Sequence, residues 1–202
     1  MSRPTPKTST TIPFPTTPLT RLPPHPGPVH ALAFSASSGQ YLLTGSQDRS
    51  IRLFNPASSK LIQTYSAHGY EVLDLAVSQD NARFASVGGD KVVLLWDVAT
   101  ASTLRRFNGH AGRVNCVRFA GEGEIRWWGE GRAVMVWGEA GDSVSCLAVD
   151  GGRVWAGSVD GRVRGYDLRA GEVEVDCLGA SVTSVGVTGR GDGYLVSTLD
   201  SR

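Results

Sequence analysis

Cysteine is scarce in this sequence of 202 residues. The three cysteines include no Cys-x-x-Cys pair, so the sequence has neither the framework of a disulfide-rich secreted domain nor the usual spacing of a zinc site. The N-glycosylation motif Asn-x-Ser/Thr is also absent. These absences favour a reducing, intracellular compartment, and we expect a cytoplasmic location with the nucleus as a second one.

An excess of charge of one sign and long apolar runs are lacking as well. Twenty Lys and Arg against nineteen Asp and Glu give a net charge of +1, so no overall field attracts nucleic acid or anionic lipid. No apolar run approaches the ~18 residues that a membrane-spanning helix needs. With 41% hydrophobic and 19% charged residues, the composition is that of an ordinary globular protein. We therefore expect no direct contact with nucleic acid and no membrane span.

Acidic residues are missing before Asp48, and the N-terminal segment differs in composition from the rest of the chain. The first 28 residues contain nine of the ten prolines and seven threonines. Because proline removes backbone donors and blocks helices, this composition predicts a disordered tail over residues 1–24. One folded domain is expected over residues 25–202.

A histidine recurs in the remainder of the chain at a period of 42 to 43 residues, each time four residues before a Val that opens an apolar run. The three segments are HPGPVHALAF (25–34), AHGYEVLDLAV (67–77) and GHAGRVNCVRF (109–119). Repetition at a period of roughly 40 residues is typical of repeat architectures, in which each unit is one small sheet that cannot bury its own face. The sequence therefore predicts a series of stacked units.

Each unit consists of short apolar runs of strand length separated by polar turns. In three units an Asp in a Gly/Ser-rich turn is followed six residues later by an aromatic residue, within YLLTGSQDRSIRLFN (41–55), RFASVGGDKVVLLWD (83–97) and RVWAGSVDGRVRGYD (153–167). The runs are rich in Val, Leu and Ile, and no useful length of helical period intervenes. The pattern predicts an all-β fold built from four-stranded repeats.

The His before a Val, the Ser/Thr-x-x-x-Asp turn and the dipeptide Trp96-Asp97 resemble WD repeats, whose four-stranded blades stack radially into a β-propeller. The resemblance is closer at HGYEVLD with GGDKVVLLWDV (68–74 and 88–98) and at AGSVDGRVRGYDLRAG (156–171), which are similar to the mitogen-activated protein kinase organizer family. That family consists of seven-bladed scaffolds that gather members of a kinase cascade and are also associated with the spliceosome.

The family resemblance implies a non-catalytic scaffold that assembles components of a mitogen-activated protein kinase cascade. The alternative that it leaves open is a spliceosome-associated adaptor in pre-mRNA splicing. In either case the partners are proteins, and neither a cofactor, a metal nor a small-molecule substrate is implied.

The resemblance also assigns roles to particular residues. In WD repeats the loop His, the second-strand Ser or Thr, the turn Asp and the third-strand Trp form a buried hydrogen-bonded set, which here corresponds to His68, Ser86, Asp90 and Trp96. Partners of propellers most often dock on the face that carries the His loops and the turns between second and third strands. On this chain that face is expected to present Gln47, Tyr70, Glu71, Arg113 and Val159.

A third hypothesis treats His68, Ser86 and Asp90 as the triad of a hydrolase. The first unit has His25, Thr44 and Asp48 at the same positions, and a catalytic site has no reason to be copied from unit to unit. The strained Gly-x-Ser-x-Gly turn that exposes a nucleophile is absent as well. The structural role is therefore favoured.

Basic residues and cysteines give weaker indications of a binding site. The residues Arg162, Arg164 and Arg169 form a candidate basic strip for acidic partners, although their alternation along one strand favours a solvated face. The residues Cys116 and Cys146 each follow an opening Val by two positions, which places them at matching strand positions and argues against metal binding.

The repeat pattern fails in the third unit, over residues 120–142. Counting six residues back from Trp137 gives Gly131 where an Asp belongs, and four further back gives Trp127 where a hydroxyl belongs. We therefore expect His110 to lack both partners. The segments IRWW and AVMVW within this range are expected to pair as a hairpin, and the short spacing to the next unit predicts that the outer strand is missing.

The pattern is also incomplete in the fifth unit. The opening residue Val182 and the turn residue Asp200 are present, but the aromatic six residues later would fall beyond residue 202. Seven units of about 42 residues would need roughly 290 residues, so the chain is shorter than the resemblance implies. We expect an incomplete propeller of about four and a half blades that forms an open arc, with no closure between residues near 29 and residues near 200.

Overall fold

A computed structural model describes residues 17–18, 20–108, 110, 112–119, 143–150, 152–167, 169–188 and 193–200. Within these residues the regular structure consists of fourteen β-strands, numbered β1 to β14 in chain order. No helix that is long and apolar enough to cross a membrane occurs among the described residues.

The strands form three four-stranded antiparallel sheets and one two-stranded sheet, each with its strands in chain order. The first unit contains β1 to β4, at Val29–Phe34, Leu42–Ser46, Ser50–Asn55 and Lys60–Ser66. The second unit contains β5 to β8, at Val72–Val77, Arg83–Gly88, Val93–Asp97 and Thr103–Phe107. The fourth unit contains β9 to β12, at Val144–Asp150, Arg153–Ser158, Arg162–Asp167 and Val173–Cys177. The fifth unit has β13 at Val182–Val187 and β14 at Tyr194–Thr198.

Tight turns join the second and third strands of the first, second and fourth units. The residue after the turn Asp has a positive φ in each case: 69° at Arg49, 64° at Lys91 and 77° at Gly161. The amide of that residue donates to the carbonyl three positions earlier, over 3.1, 3.4 and 3.2 Å respectively. Each is therefore a β-turn whose last residue lies in the left-handed region, as in three-residue hairpin loops, and only the fourth unit has there the glycine that enters this region without strain.

The core of the N-terminal half lies between the first two sheets. Tyr65 of β4 packs edge-on against Phe84 of β6 and Trp96 of β7, at ring-centroid distances of 4.8 and 5.6 Å, and the last two rings stack at 5.7 Å. The hydroxyl of Tyr65 donates to the carbonyl of Val98 over 3.1 Å, and burial raises the pKa of Tyr65 to about 12. One aromatic cluster thus joins the two units.

A second core joins the fourth and fifth units. Trp155 and Val163 of the fourth unit pack with Val182 and Val185 of the fifth. The hydroxyl of Ser145 on β9 donates to the carbonyl of Val182 over 2.5 Å. The contact between these units therefore combines apolar packing with a hydrogen bond to the backbone of the first strand of the fifth unit.

The described part of the third unit, residues 112–119, contains no strand. Its Val114, Val117 and Phe119 pack against the second unit, and Arg118 forms an ion pair with Asp74 of β5, with Nη1 2.5 Å from Oδ2. Side-chain packing therefore holds this segment, together with hydrogen bonds from the amides of Val114 and Val117 to the carbonyl of Gly88 and the carboxylate of Asp74, over 3.3 and 2.9 Å. The expectation that Cys116 occupies a strand position matching Cys146 was therefore wrong for the described residues.

The predicted hairpin and missing outer strand of the third unit lie outside the described residues. His110 itself is described, is exposed, and has no hydrogen bond to another described side chain. The tail expected over residues 1–24 also lies mostly outside. Its described end contacts the first unit, since Arg52 Nη1 donates to the carbonyl of Pro24 over 2.9 Å and the hydroxyls of Thr20 and Ser59 form a hydrogen bond.

The expected all-β architecture of four-stranded repeats is confirmed. Within the described residues the sheets do not join into one closed sheet, and the principal strand contacts between units link only the first to the second and the fourth to the fifth. No strand of the first unit pairs with β13 or β14. The described units therefore form an open series, as expected for an arc.

Candidate functional site

The side chains of His68, Ser86, Asp90 and Trp96 form one buried hydrogen-bonded set in the second unit. His68 lies in the segment before β5, Ser86 on β6, Asp90 in the β6–β7 turn and Trp96 on β7. The Nδ1 atom of His68 is 2.9 Å from Oδ2 of Asp90, and its Nε2 atom is 2.7 Å from Oγ of Ser86. The indole Nε1 of Trp96 is 2.8 Å from the same Oγ. The set therefore ties the loop, the turn and two strands together.

The direction of each hydrogen bond follows from what each group can do. A carboxylate only accepts and an indole N–H only donates, so His68 donates from Nδ1 to Asp90 and Trp96 donates to Ser86. The Ser86 hydroxyl then donates to the remaining imidazole nitrogen. Asp90 also accepts from the amide of Gly69 over 3.0 Å. Every polar group of the set thus has a partner, as buried polar groups require.

The first unit contains a related set with His25, Thr44 and Asp48. His25 contacts Asp48 over 2.9 Å through Nδ1 and Thr44 over 2.7 Å through Nε2. Burial acts to raise the pKa of Asp48, but hydrogen bonds from Ser50 and His25 outweigh it and hold this pKa below its ordinary value. Phe54 takes the place of Trp96, so no indole donor reaches Thr44.

Replacing Ser86 with alanine should lower the free energy of unfolding by about 1–3 kcal/mol, because Trp96 N–H and Nε2 of His68 would lose their buried partner. Thermal and denaturant unfolding would measure the loss. The variant Ser66→Ala, at an exposed position on β4, is the control and should change stability by less than about 0.5 kcal/mol. Equal losses in the two variants would show that the buried set contributes no stability.

In the fourth unit an arginine, instead of a histidine, is the hydrogen-bond partner of the turn Asp. The sequence analysis missed this feature. The turn residue Asp160 accepts from Arg164 in a bidentate pair, with Nη2 to Oδ2 at 2.7 Å and Nη1 to Oδ1 at 3.3 Å. Only 2% of Arg164 is exposed. Ala156 stands at the hydroxyl position here, so neither an imidazole nor a hydroxyl is needed. The sequence feature that could have indicated this ion pair is a basic residue four positions after the turn Asp. The first unit has the same feature at Arg52.

The interpretation of Arg162, Arg164 and Arg169 as one solvated strip was wrong at its middle member. Arg162 and Arg169 are exposed, but Arg164 points away from solvent and pairs with Asp160. An arginine on a strand can be buried when its guanidinium pairs with a nearby carboxylate.

The five residues expected at a partner surface lie at matching ends of their units. Gln47 is in the β2–β3 turn and Val159 in the β10–β11 turn, and both are exposed. Tyr70, which is 61% exposed, and the half-buried Glu71 precede β5. Arg113 is exposed in the segment after the second unit.

An open pocket of about 480 Å³ lies beside the buried set of the second unit. Among the expected partner-binding residues, Tyr70 lines it, and two cations that the sequence analysis did not single out, Lys91 and Arg106, lie on its wall. Asp90 also lines the pocket, and its carboxylate accepts hydrogen bonds from His68 and Gly69. An exposed aromatic ring and two cations thus lie beside a hydrogen-bonded set.

The described residues contain no group of three or more His, Cys, Asp or Glu side chains able to hold a metal ion. Burial raises the pKa of the Cys116 thiol to about 12, with a further contribution from Asp74. A thiol with that pKa stays protonated at neutral pH, and it is therefore a poor ligand and a poor nucleophile.

Comparison with known proteins agrees with this architecture. Residues 16–55 and 59–97 match the family model described as WD domain, G-beta repeat. WD repeat domain-containing protein 83 of Rattus norvegicus is 41% identical over 189 residues, covering 87% of this chain and 60% of that protein. The protein of the same name from Xenopus tropicalis is 40% identical over 173 residues, covering 79% and 55%.

A more distant relative is Autophagy-related protein 16 of Arabidopsis thaliana, 27% identical over 204 residues that cover 93% of this chain and 40% of that protein. The chain thus spans less than two thirds of the length of each of these relatives. The matched repeats coincide with the two units whose His, hydroxyl and Asp side chains form hydrogen-bonded sets. The chain is a WD-repeat protein.

Proposed function

We propose that this protein is a non-catalytic scaffold that assembles components of a mitogen-activated protein kinase cascade. The observation that supports the scaffold role is the contrast between the buried polar side chains of the second unit and the exposed side chain beside them. Its polar set is buried and internally paired, whereas Tyr70 beside it is 61% exposed. The choice of kinase partners rests on the motif resemblance to the mitogen-activated protein kinase organizer family.

Accessibility argues against the hydrolase hypothesis. The hydrogen-bond order of Ser86, His68 and Asp90 is that of a hydrolytic triad, so geometry alone does not separate the two functions. However, Ser86 has no exposed surface, and its oxygen already accepts from Trp96. A substrate carbonyl has no path to this oxygen without disruption of the core. The same arrangement at His25, Thr44 and Asp48 fits a structural element that recurs with the repeat.

The surface beside the second unit suits a protein partner. Tyr70 gives a large aromatic contact at low entropic cost, and Tyr and Arg are the residue types enriched at binding hot spots. The buried set below keeps the backbone of the His68 loop and the β6–β7 turn in place. A partner therefore meets a preorganised surface, which reduces the entropic cost of association.

Replacing both Tyr70 and Arg113 with alanine should weaken the capture of kinases from native extract while leaving the melting temperature unchanged. Both side chains are exposed, so their loss removes contact area without opening the core. Tyr41→Ala is the matched control, because Tyr41 is 40% exposed at the opposite end of the first unit. Undiminished capture by the double variant would place the partner surface elsewhere.

Affinity capture followed by mass spectrometry would identify the class of partner. Co-purification of kinases from a cytoplasmic extract is the expected result. Capture of spliceosomal proteins from nuclei would instead support the splicing adaptor, with RNA contacted indirectly because the net charge is only +1. Turnover of a peptide or ester substrate that Ser86→Ala abolishes without loss of fold would overturn the scaffold proposal.

A further inference from the structure

The pocket beside the buried set of the second unit carries two cations that pair with no described carboxylate. Lys91 lies in the β6–β7 turn and Arg106 on β8, and both are exposed. In the part of the chain that the structure describes, the ammonium of Lys91 has no hydrogen-bond or ion-pair partner. Arg106 donates from Nε to Oδ1 of Asn108 over 3.3 Å, which leaves its two terminal nitrogens available to a ligand. We call this site, with Lys91 and Arg106 on its wall, the basic pocket.

The acidic side chains near the basic pocket do not neutralise its cations. Asp90 is the one acid among the described lining residues. Its carboxylate accepts from Nδ1 of His68 over 2.9 Å and from the amide of Gly69 over 3.0 Å. Glu71 does not line the pocket, and its carboxylate lies against Gly89, where an added Cβ would be 2.9 Å from Oε1. Within the described residues neither acid forms an ion pair with a cation of the pocket, so the positive charge is available to an anionic ligand.

An aromatic ring and open space complete the basic pocket. Tyr70 is 61% exposed on its wall, and such a ring offers a large apolar contact with a hydroxyl at its end. The volume of about 480 Å³ is within the range of roughly 300–1,000 Å³ that is typical of ligand pockets. Gly69 and Gly89 also line the pocket, and neither position has a side chain that takes up space. The pocket is therefore suited to an anionic side chain whose neighbours can pack on an aromatic ring.

We propose that the basic pocket binds a phosphorylated side chain on a segment of a protein partner. A phosphate group carries about −1.5 to −2 charges at neutral pH, which matches two cations better than the single charge of a carboxylate does. The guanidinium of Arg106 can bind two phosphate oxygens at once, and Lys91 contributes a point charge. Tyr70 packs against the residues next to the phosphorylated one, as expected of an aromatic residue at a binding hot spot.

This inference rests on the proposed scaffold function. Kinases that are gathered on one scaffold produce phosphorylated segments close to it, so a pocket of this kind retains a partner once that partner has been phosphorylated. The source of the phosphate is a protein and not a lipid headgroup, because a net charge of +1 gives the chain no general attraction to an anionic membrane.

Fluorescence polarisation with labelled peptide libraries tests the proposal. The probe is a library of short peptides with phosphothreonine at the centre and random flanking residues, and the references are the same library with threonine or glutamate at the centre. The unaltered chain should bind the phosphorylated library, and this binding should weaken as salt is added, because exposed charges are screened. The threonine library should not bind, and the glutamate library should bind more weakly than the phosphorylated one.

Charge-removing variants locate the binding site. Lys91→Gln and Arg106→Gln should each weaken binding of the phosphorylated library about tenfold, the effect expected when one charge-assisted contact is lost. Arg105→Gln is the matched control, because it removes the same charge from the preceding residue of β8, whose side chain faces the opposite side of the strand. It should bind like the unaltered chain. All three side chains are exposed, and circular dichroism would show that the variants keep their β-structure.

The outcomes separate this inference from the scaffold function. Equal binding of the phosphorylated and threonine libraries would overturn the phosphate proposal, and so would undiminished binding by the double variant of Lys91→Gln with Arg106→Gln. Neither result would affect the scaffold function, which capture from native extract tests by itself. Vesicles that contain phosphatidylinositol phosphates provide the last arm: vesicle binding that the double variant abolishes, without binding of the phosphorylated library, would assign the pocket to lipid headgroups and overturn the proposal.

Discussion

Replacing Arg164 with alanine should lower the free energy of unfolding by about 3–5 kcal/mol, the range expected when one partner of a buried ion pair is removed. The guanidinium is 2% exposed and makes two contacts with Asp160, at 2.7 and 3.3 Å. Without it the largely buried carboxylate of Asp160 loses both contacts with the guanidinium. Denaturant unfolding followed by circular dichroism would measure the loss.

Arg162 provides the control for this experiment. It lies on the same strand two residues earlier, and its side chain is exposed, so Arg162→Ala should change stability by less than about 0.5 kcal/mol. The double variant Asp160→Asn with Arg164→Met should recover much of the loss, since replacing both members of a buried pair is often nearly neutral. If Arg164→Ala were as stable as Arg162→Ala, the ion pair would not hold the fourth unit together.

Replacing Phe84 with alanine should cost about 3–5 kcal/mol, because a fully buried ring would leave a cavity between two units. Phe84 is 0% exposed and contacts the rings of both Tyr65 and Trp96. Since Tyr65 belongs to β4 and Trp96 to β7, the cavity would loosen the second unit and its contact with the first. A thermal melt should show a lower midpoint for this variant.

Tyr70→Ala is the matched control for Phe84→Ala. It also removes an aromatic ring from the second unit, but that ring is 61% exposed, so stability should change by less than about 0.5 kcal/mol. The two variants together separate stability from binding: Phe84→Ala should weaken the fold, and Tyr70→Ala should affect only the capture of partners. A melt of Phe84→Ala identical to that of Tyr70→Ala would contradict the interunit packing described above.

The buried set of the second unit could be named from the sequence because its four positions resemble those that form such a set in WD repeats, and the observed strands are consistent with that assignment. Ser86, Asp90 and Trp96 lie on consecutive strands and the turn between them, and the strand period places the hydroxyl and the indole on one side. Arg164 could not be placed in the same way. An exposed arginine and an arginine paired with a turn carboxylate have the same sequence pattern. Only the structure, which places Asp160 beside Arg164, shows which of the two cases applies.

By itself, the sequence determined the repeat period and the all-β units, since these depend on turns and strand alternation within one unit, whereas the hydrogen-bonded set at His68 was named through the resemblance to WD repeats. The tertiary structure alone decided which apolar positions are covered. Val29 and Val72 each follow a histidine by four residues and open a first strand, yet one is 45% exposed and the other 0%. The physical reason is that burial of a sheet face depends on the neighbouring sheet, and a pattern that repeats within each unit carries no record of whether that neighbour is present.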